Sequence, residues 1–221
     1  MAGHKERYIA VIADMLKSRE LPSSRRALVQ KHFEELVARL NKEFRPSIAA
    51  KFSITLGDEF QALLKTSTVI PDLLWRLEEQ FADRQLRVGV GFGTLDTPIQ
   101  PYAINIDGPV LHRAREAVEE AARQHILGGV FRGFGSLDDV LSGIARLLYF
   151  QRSGWTSAQR KIANLMRSGL SQSEVAAHLG VSRQVISKQA AAIGWSAYRS
   201  GENAWRIIFR DYVDPMIGPK P

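Results

Sequence analysis

The spacing of apolar residues over the first 135 positions alternates between a pattern typical of strands and one typical of helices. The run from Tyr8 to Ala13 is short and continuously apolar, which predicts a buried strand. Apolar residues then recur at helical spacing over 28–40, between a cap at position 23 or 24 and Pro46. Further strands are predicted over 52–56, 59–64 and 86–95, and further helices over 71–81 and 109–123.

This order of elements is βαββαβα, with or without one more short strand over 128–134, and it predicts an α+β fold. Gly57 and Asp58 form a two-residue hairpin signal between two of the strands. The expected arrangement is ferredoxin-like, with helices on one face of a mainly antiparallel sheet. Glycines at 89, 91 and 93 line one side of a strand, which leaves room either for a nucleotide base or for a closely packed helix.

From Ser136 onward the pattern is helical. Ser136 is expected to cap a helix that runs to about position 150, Gly154 interrupts it, and Thr156 caps another helix over 157–167. The sequence therefore predicts an α/β domain over 1–135, a connector helix over 136–155 and an all-α domain over 156–221.

Two helices separated by a tight turn are predicted within this last segment. Ser171 caps the first, with Glu174 as its capping-box partner, and Gly180 ends it in the left-handed conformation. Ser182 caps the second. The residues expected to face inward are Val175, Ala176, Leu179, Val181, Val185, Ile186 and Ala190.

The stretch GLSQSEVAAHLGVSRQVISK resembles the helix-turn-helix of many bacterial regulators. Its second helix has an exposed polar face suited to base edges and phosphates in a major groove. The candidate DNA-binding residues are Ser182, Arg183, Gln184, Ser187 and Lys188. The alternative is a three-helix bundle that binds no DNA. A last helix, capped by Ser200, is expected to close this bundle, or else to pair with a second subunit.

The distribution of charge favours a polyanionic partner for the C-terminal third. Residues 1–150 hold 20 Lys and Arg against 19 Asp and Glu, whereas residues 151–221 hold 10 against 4. The alternative is a basic face that only contacts solvent. There is no cysteine, which excludes disulfides and thiolate metal sites. No apolar run near the start is long enough for a signal peptide or a membrane span, so a cytoplasmic protein is expected.

Two acidic residues are candidates for metal binding in the α/β domain. Asp14 ends the first strand and Asp58 lies at the hairpin tip, so both carboxylates are expected at one edge of the sheet. Mg²⁺ takes one or two carboxylates and completes its shell with water and phosphate oxygens. Ser18, Arg19 and nearby backbone N–H groups are candidates for phosphate binding. The alternative is structural, since Asp is common in turns and at strand ends.

Four blocks of sequence, YIAVIADMLKSRE, FSITLGDEFQALL, LRVGVGFGTLDT and IDGPVLHRAREA, resemble the SatD family of bacterial proteins. That family pairs such a domain with a C-terminal helix-turn-helix, and the resemblance covers nearly the whole chain. More remotely, the blocks are similar to class III nucleotide cyclases and GGDEF diguanylate cyclases. This likeness implies that Asp14 and Asp58 are metal-binding aspartates, that a nucleotide binds beside them, and that the protein is a homodimer.

The chain departs from the cyclase pattern at positions that serve turnover. His112 stands where the cyclases have Asn, and Glu116 stands where they have Arg, with Arg113 and Arg115 as displaced substitutes for nucleotide binding. The alternative interpretation of His112 is an interfacial histidine with no catalytic role. Ile54 replaces the adenine-reading lysine, and a single Gly precedes Asp58.

Two hypotheses of function follow. The first is a DNA-binding transcriptional regulator whose cyclase-like domain binds a nucleotide with Mg²⁺ or mediates dimerisation. The second is a nucleoside-triphosphate-using enzyme, such as a nucleotidyl cyclase, with a DNA-binding module. Glu116 and the missing lysine favour the regulator, because an anionic side chain opposes the charge that builds on the phosphates.

Overall fold

The computed structural model describes residues 6–16, 23–80 and 85–218. The strands are β1 (Arg7–Met15), β2 (Ile48–Leu56), β3 (Glu59–Leu64), β4 (Leu86–Thr94) and β5 (Val130–Arg132). The helices are α1 (Ser23–Glu43), α2 (Ile70–Gln80), α3 (Pro109–Arg123), α4 (Leu137–Ser153), α5 (Ser157–Arg167), α6 (Gln172–Leu179), α7 (Arg183–Ala192) and α8 (Trp195–Ile208). Among the described residues, no helix is long and apolar enough to cross a membrane.

The five strands form one sheet in the order β2-β3-β1-β4-β5. Strand β1 is antiparallel to both β3 and β4, β2 is antiparallel to β3, and β5 is parallel to β4. Because β1 is paired on both edges and covered on both faces, residues 9–13 are all buried, which explains their continuous apolar run. The predicted mixed α+β fold is confirmed, and Gly57 and Asp58 join β2 to β3 as expected.

The sequence led us to expect the helices on one face of the sheet. In the structure they cover both faces. On one face, Phe33 of α1 packs against Phe60 of β3 with ring centroids 5.3 Å apart. On the opposite face, α3 lies directly against β4, because the strand presents glycines there. A Cβ atom at Gly91 would lie 2.2 Å from the Val110 carbonyl oxygen, and one at Gly89 would lie 2.3 Å from that of Ala114. The glycine stripe therefore accommodates a helix backbone.

Residue contacts divide the chain into two compact units. One comprises Met1–Arg146 with Trp205–Pro221, and the other comprises Leu147–Ala204. The boundaries fall within α4 and within α8. We call these the α/β unit and the helical unit.

Side-chain caps define the short helices of the helical unit. Thr156 and Ser171 each form a capping box, with Gln159 and Glu174 respectively, at the starts of α5 and α6. Gly180 ends α6 with a φ of 67°, in the left-handed region that favours glycine. The Ser182 hydroxyl accepts a hydrogen bond from the Val185 N–H at the start of α7. These caps lie where the sequence predicted them.

Two valines that were expected in the core of the helical unit are exposed instead. Val181 is 42% exposed and Val185 is 45% exposed. Val181 follows Gly180 in the turn between helices, so no helix face directs it inward. On α7 the buried residues are Ile186 and Ala190, four positions apart, and Val185 lies about 100° around the helix from Ile186. Leu179 is only half-buried.

The last helix also differs from expectation. It begins at Trp195, so Ser200 lies within it and caps nothing. Its far end does not close the small bundle, because Trp205 and Phe209 pack against Phe131 of β5, with ring centroids 5.9 and 6.0 Å away. Residues after Ala204 thus group with the α/β unit, not with the segment 156–221 that the sequence predicted as one domain.

Polar contacts hold this C-terminal segment on the α/β unit. The Arg206 guanidinium donates two hydrogen bonds to the Asp72 carboxylate of α2, at 2.8 and 2.7 Å. The Asp214 carboxylate accepts hydrogen bonds from the Thr66 hydroxyl at 2.6 Å and from the Ser67 N–H at 2.7 Å. Segment 205–217 is therefore a structural part of the α/β unit.

Candidate functional site

The structure brings Asp14 and Asp58 together at one edge of the sheet. Asp14 is the penultimate residue of β1 and pairs in register with Glu59 of β3 and Arg87 of β4. The N–H of Met15 donates to the Asp58 carbonyl oxygen at 3.0 Å, which fixes the hairpin tip beside the end of β1.

Asp14 lies in surroundings that disfavour its charge. Partial burial raises the pKa of its carboxyl, and the negative charge of Asp58 raises it further. Arg87, whose Nη1 lies 3.2 Å from the Asp14 Oδ2, opposes this effect without overcoming it. A cation beside the two carboxylates would relieve their repulsion.

A third carboxylate, Glu59, is buried at the same edge and accepts three hydrogen bonds. Its side chain accepts hydrogen bonds from Arg115 Nη1 at 2.5 Å, from Arg115 Nη2 at 2.7 Å and from the Thr55 hydroxyl at 2.7 Å. Burial raises the Glu59 pKa, but these hydrogen bonds outweigh burial and leave the pKa lowered. Sequence reasoning missed Glu59, although its place directly after the hairpin tip brings it opposite Asp14.

The other predicted nucleotide-binding residues are not all brought to this edge. Arg115 reaches it through Glu59, but Arg113 donates to the Phe92 carbonyl oxygen at 2.7 Å. Phe92 lies five residues from Arg87 along β4, a distance of roughly 16 Å. Ser18 and Arg19 lie outside the described residues.

The two residues that replace the cyclase pair are on the surface. Glu116 is exposed, and so is His112, whose Nε2 lies 2.7 Å from the Asp107 Oδ1. Among the described residues, neither side chain forms a hydrogen bond with Asp14 or Glu59.

The described residues contain no cluster of three or more Asp, Glu or His side chains with the geometry to hold a metal ion. Asp14 and Asp58 are a pair of carboxylates that could hold one with ligands from outside the chain. Two carboxylates suit Mg²⁺, because Mg²⁺ takes its remaining ligands from water and phosphate. They do not suit a cation that needs all of its ligands from the protein.

The second candidate surface is the polar face of α7. All five residues that the sequence proposed for DNA contact are exposed, namely Ser182, Arg183, Gln184, Ser187 and Lys188. Ile186 and Ala190 on the other side of the helix are buried. The cap formed by Ser182 places these residues in the first turns of α7.

The helical unit carries an excess of positive charge, and only part of it is neutralised. Residues 147–204 contain seven Lys and Arg against two Glu. Arg167 and Arg199 both pair with the buried Glu202, at 2.5 Å each. In the part of the chain that the structure describes, the exposed side chains of Lys161, Arg183 and Lys188 have no ion pair. Their charge is available to a polyanion.

Residues 8–204 match the SatD family, and the chain therefore belongs to it. No curated protein is significantly similar to the chain in sequence.

Among solved structures, the chain is similar to a bacterial light-regulated adenylyl cyclase, with 17% identity and a TM-score of 0.40 over 57% of this chain and 75% of that one. It is similar to the monomeric guanylyl cyclase domain of the RhoGC fusion protein from Blastocladiella emersonii, with 16% identity and a TM-score of 0.36 over 52% and 75%. A regulator of polyketide synthase expression from Bifidobacterium adolescentis matches at 15% identity and a TM-score of 0.29, over 97% and 80%.

Proposed function

We propose that the protein is a DNA-binding transcriptional regulator, with α6 and α7 as a helix-turn-helix and α7 as the helix that enters the major groove. One observation carries this proposal: the polar residues at the start of α7 are exposed together, while Ile186 and Ala190 hold the helix from behind. Arg183 and Gln184 have the hydrogen-bonding groups that read base edges, and Lys188 suits a phosphate.

Charge supports the same proposal. Phosphate contacts supply most of the affinity of proteins for DNA, and they require cations that are not already paired. Arg183 and Lys188 meet this condition among the described residues, whereas Arg167 and Arg199 are committed to Glu202.

The test is a mobility shift with genomic fragments from around the protein's own gene, at low and at physiological salt. Arg183→Ala should weaken cognate binding by about 1–3 kcal/mol and relax the preference at one base pair. Lys188→Ala should weaken binding to all sequences alike and reduce the salt slope by about one. Lys42→Ala, which removes the same charge from an exposed position of α1, is the matched control.

Wild-type affinity in the Arg183→Ala, Lys188→Ala double variant would show that another element binds the DNA. No binding to any fragment at low salt would favour the alternative, a three-helix bundle without a nucleic-acid partner.

For the α/β unit, we propose that Asp14 and Asp58 hold Mg²⁺ together with the phosphates of a nucleoside triphosphate. The support is the pair of carboxylates at one sheet edge, one of which ionises with difficulty in the absence of a cation. Ser18 and Arg19, which follow β1 in sequence, remain candidates for the phosphates. We propose binding rather than turnover, because Glu116 supplies no positive charge for a transition state.

The test is incubation of the protein with each nucleoside triphosphate and Mg²⁺ or Mn²⁺, measuring both melting temperature and nucleotide consumption. A ligand that binds only the folded state raises the melting temperature by mass action. Asp14→Asn and Asp58→Asn should each abolish the shift while the protein stays folded. Turnover by the wild type would instead favour the nucleotidyl cyclase-like enzyme, and no shift at millimolar nucleotide would contradict the metal site.

A further inference from the structure

Glu59 is the most deeply buried acidic side chain at the sheet edge, and its hydrogen bonds leave little capacity for a metal. The residue is 4% exposed. Of the roughly four lone-pair directions of a carboxylate, three accept hydrogen bonds, from Arg115 twice and from Thr55 once. One direction is left for a metal, and a cation there would be repelled by the guanidinium that the same carboxylate already holds. Glu59 is therefore built to hold Arg115.

Among the described residues, the Arg115 side chain forms its hydrogen bonds with Glu59. Its side chain is 41% exposed, in contrast to the buried carboxylate that binds it. The two hydrogen bonds to Glu59 use two of the five guanidinium N–H groups. A guanidinium fixed in this bidentate way keeps its planar fork in one orientation, which suits recognition of a phosphate.

The pair lies next to the proposed metal site. Glu59 pairs in register with Asp14, so the two side chains start from neighbouring positions on one face of the sheet, with Cβ atoms about 5 Å apart. The charge of Arg115 also interacts with that of Asp14. A phosphate bound to a metal on Asp14 and Asp58 would thus lie on the same face as the guanidinium.

We propose that Glu59 is a positioning residue that orients Arg115 to bind the phosphate chain of the ligand, and that Glu59 is not itself a metal ligand. This inference rests on the proposed binding of a metal and a polyphosphate at Asp14 and Asp58. Of the three carboxylates at this edge, Asp14 and Asp58 would then bind the cation, and Glu59 would hold Arg115.

The test uses two probes with the full-length protein: Mn²⁺ alone, followed by the loss of its free-ion EPR signal, and tripolyphosphate with Mg²⁺, followed by calorimetry. Glu59→Gln should leave Mn²⁺ affinity within about twofold of wild type. It should raise the Kd for the magnesium tripolyphosphate about tenfold, the usual effect of one charge-assisted hydrogen bond. Arg115→Ala should have at least as large an effect on that Kd.

A double-mutant cycle separates positioning from a general structural role. Glu59→Gln should weaken tripolyphosphate binding no further in the Arg115→Ala background, since Glu59 acts through Arg115. The double variant also avoids leaving the Glu59 carboxylate buried without its partner. Arg115→Lys keeps the charge but not the fork, so it should bind more weakly than wild type. Arg123→Ala, an exposed arginine in the last turn of α3, is the matched control.

Loss of Mn²⁺ binding in Glu59→Gln would overturn the inference, because Glu59 would then be a ligand. Equal tripolyphosphate affinity in wild type, Glu59→Gln and Arg115→Ala would overturn it as well, while leaving the metal site in place. Failure of the wild type to bind either probe would contradict the proposed metal and nucleotide site, and this inference would fall with it.

Discussion

Asp14 illustrates how a candidate metal-binding residue can lower the stability of a fold. The folded chain holds this carboxyl in partly buried surroundings beside Asp58, which raises its pKa above that of an unfolded chain. The folded state therefore binds the Asp14 proton more tightly than the unfolded state does. The stabilisation from this group is complete below the unfolded pKa and is lost as the pH rises through the folded pKa.

Asp14→Asn is accordingly expected to raise the melting temperature of the metal-free protein at neutral pH, because Asn resembles the protonated form. The advantage should shrink as the pH falls through the folded pKa, where wild-type Asp14 becomes protonated. Thermal unfolding in the presence of a chelator at about pH 7 and about pH 4 measures this difference. Glu35→Gln, at an exposed position of α1, is the control. A lower melting temperature for Asp14→Asn at neutral pH would contradict the expectation.

Individual residues were predictable from the sequence where the signal was local. The caps at Thr156, Ser171 and Ser182 and the turn at Gly180 depend on a few neighbouring residues, and all were found. Glu59 was missed because its hydrogen-bond partner, Arg115, is 56 positions away in sequence. Val185 was wrongly assigned to the core. It is adjacent to Ile186 on a short helix, and the sequence does not show which of these two apolar residues faces inward.

At the scale of elements, type and order could be predicted, but the face on which a helix packs could not. The period of the apolar residues predicts α3 and β4 as separate elements. It does not indicate which face of the sheet α3 covers. The glycines of β4 allowed either a ligand or a helix on that side. The structure places Val110 and Ala114 of α3 there, so the glycines serve a close approach of backbones.

Gly91→Ala should therefore be among the most damaging single-methyl changes in the α/β unit. Its Cβ would lie 2.2 Å from the Val110 carbonyl oxygen and 2.4 Å from the Ala114 backbone nitrogen, and neither backbone atom can move alone. We expect a loss of about 3 kcal/mol or more in the free energy of unfolding, at the upper end of overpacking effects. Urea denaturation measures this loss.

Gly143→Ala adds the same methyl group and is the matched control. Apart from Gly143 itself, its chain neighbours and the backbone of α4, no described atom lies within 4 Å of the added Cβ, so the change should stabilise the helix by about 0.5–1 kcal/mol. Equal effects of the two substitutions would mean that α3 does not press on β4.

At the scale of the whole molecule, the sequence showed that the last helix has an apolar stripe but not what the stripe contacts. Its proximity in sequence to α5–α7 suggested the small bundle. The structure divides α8 between the units, so that the helical unit is inserted between α4 and the end of α8. Amphipathic periodicity predicts that one face of a helix is buried. Tertiary packing determines which element that face contacts.

The protein is expected to bind DNA as a homodimer, because most operators of helix-turn-helix proteins have two-fold symmetry. The half-sites should lie about one helical turn apart, near 34 Å, or a multiple of it. Light scattering on the complex measures the protein stoichiometry. One copy of the 24.7 kDa chain on each operator would contradict this expectation.

The C-terminal segment is expected to stabilise the α/β unit and not the helical unit. Phe209 is fully buried, with its ring 6.0 Å from that of Phe131 and 5.2 Å from that of Trp205. Phe209→Ala should reduce the free energy of unfolding by about 3–5 kcal/mol, as expected for a buried phenylalanine. Tyr212→Ala, three residues on and 62% exposed, should have little effect.

Hydrogen exchange followed by mass spectrometry identifies the unit that loses this stability. In Phe209→Ala, peptides from β4 and β5 should exchange faster, because their side of the sheet loses the aromatic contact. Peptides from α5–α7 should keep their wild-type protection, because Phe209 belongs to the α/β unit. Faster exchange confined to α5–α7 would show that the last helix closes the small bundle after all, as its sequence pattern first suggested.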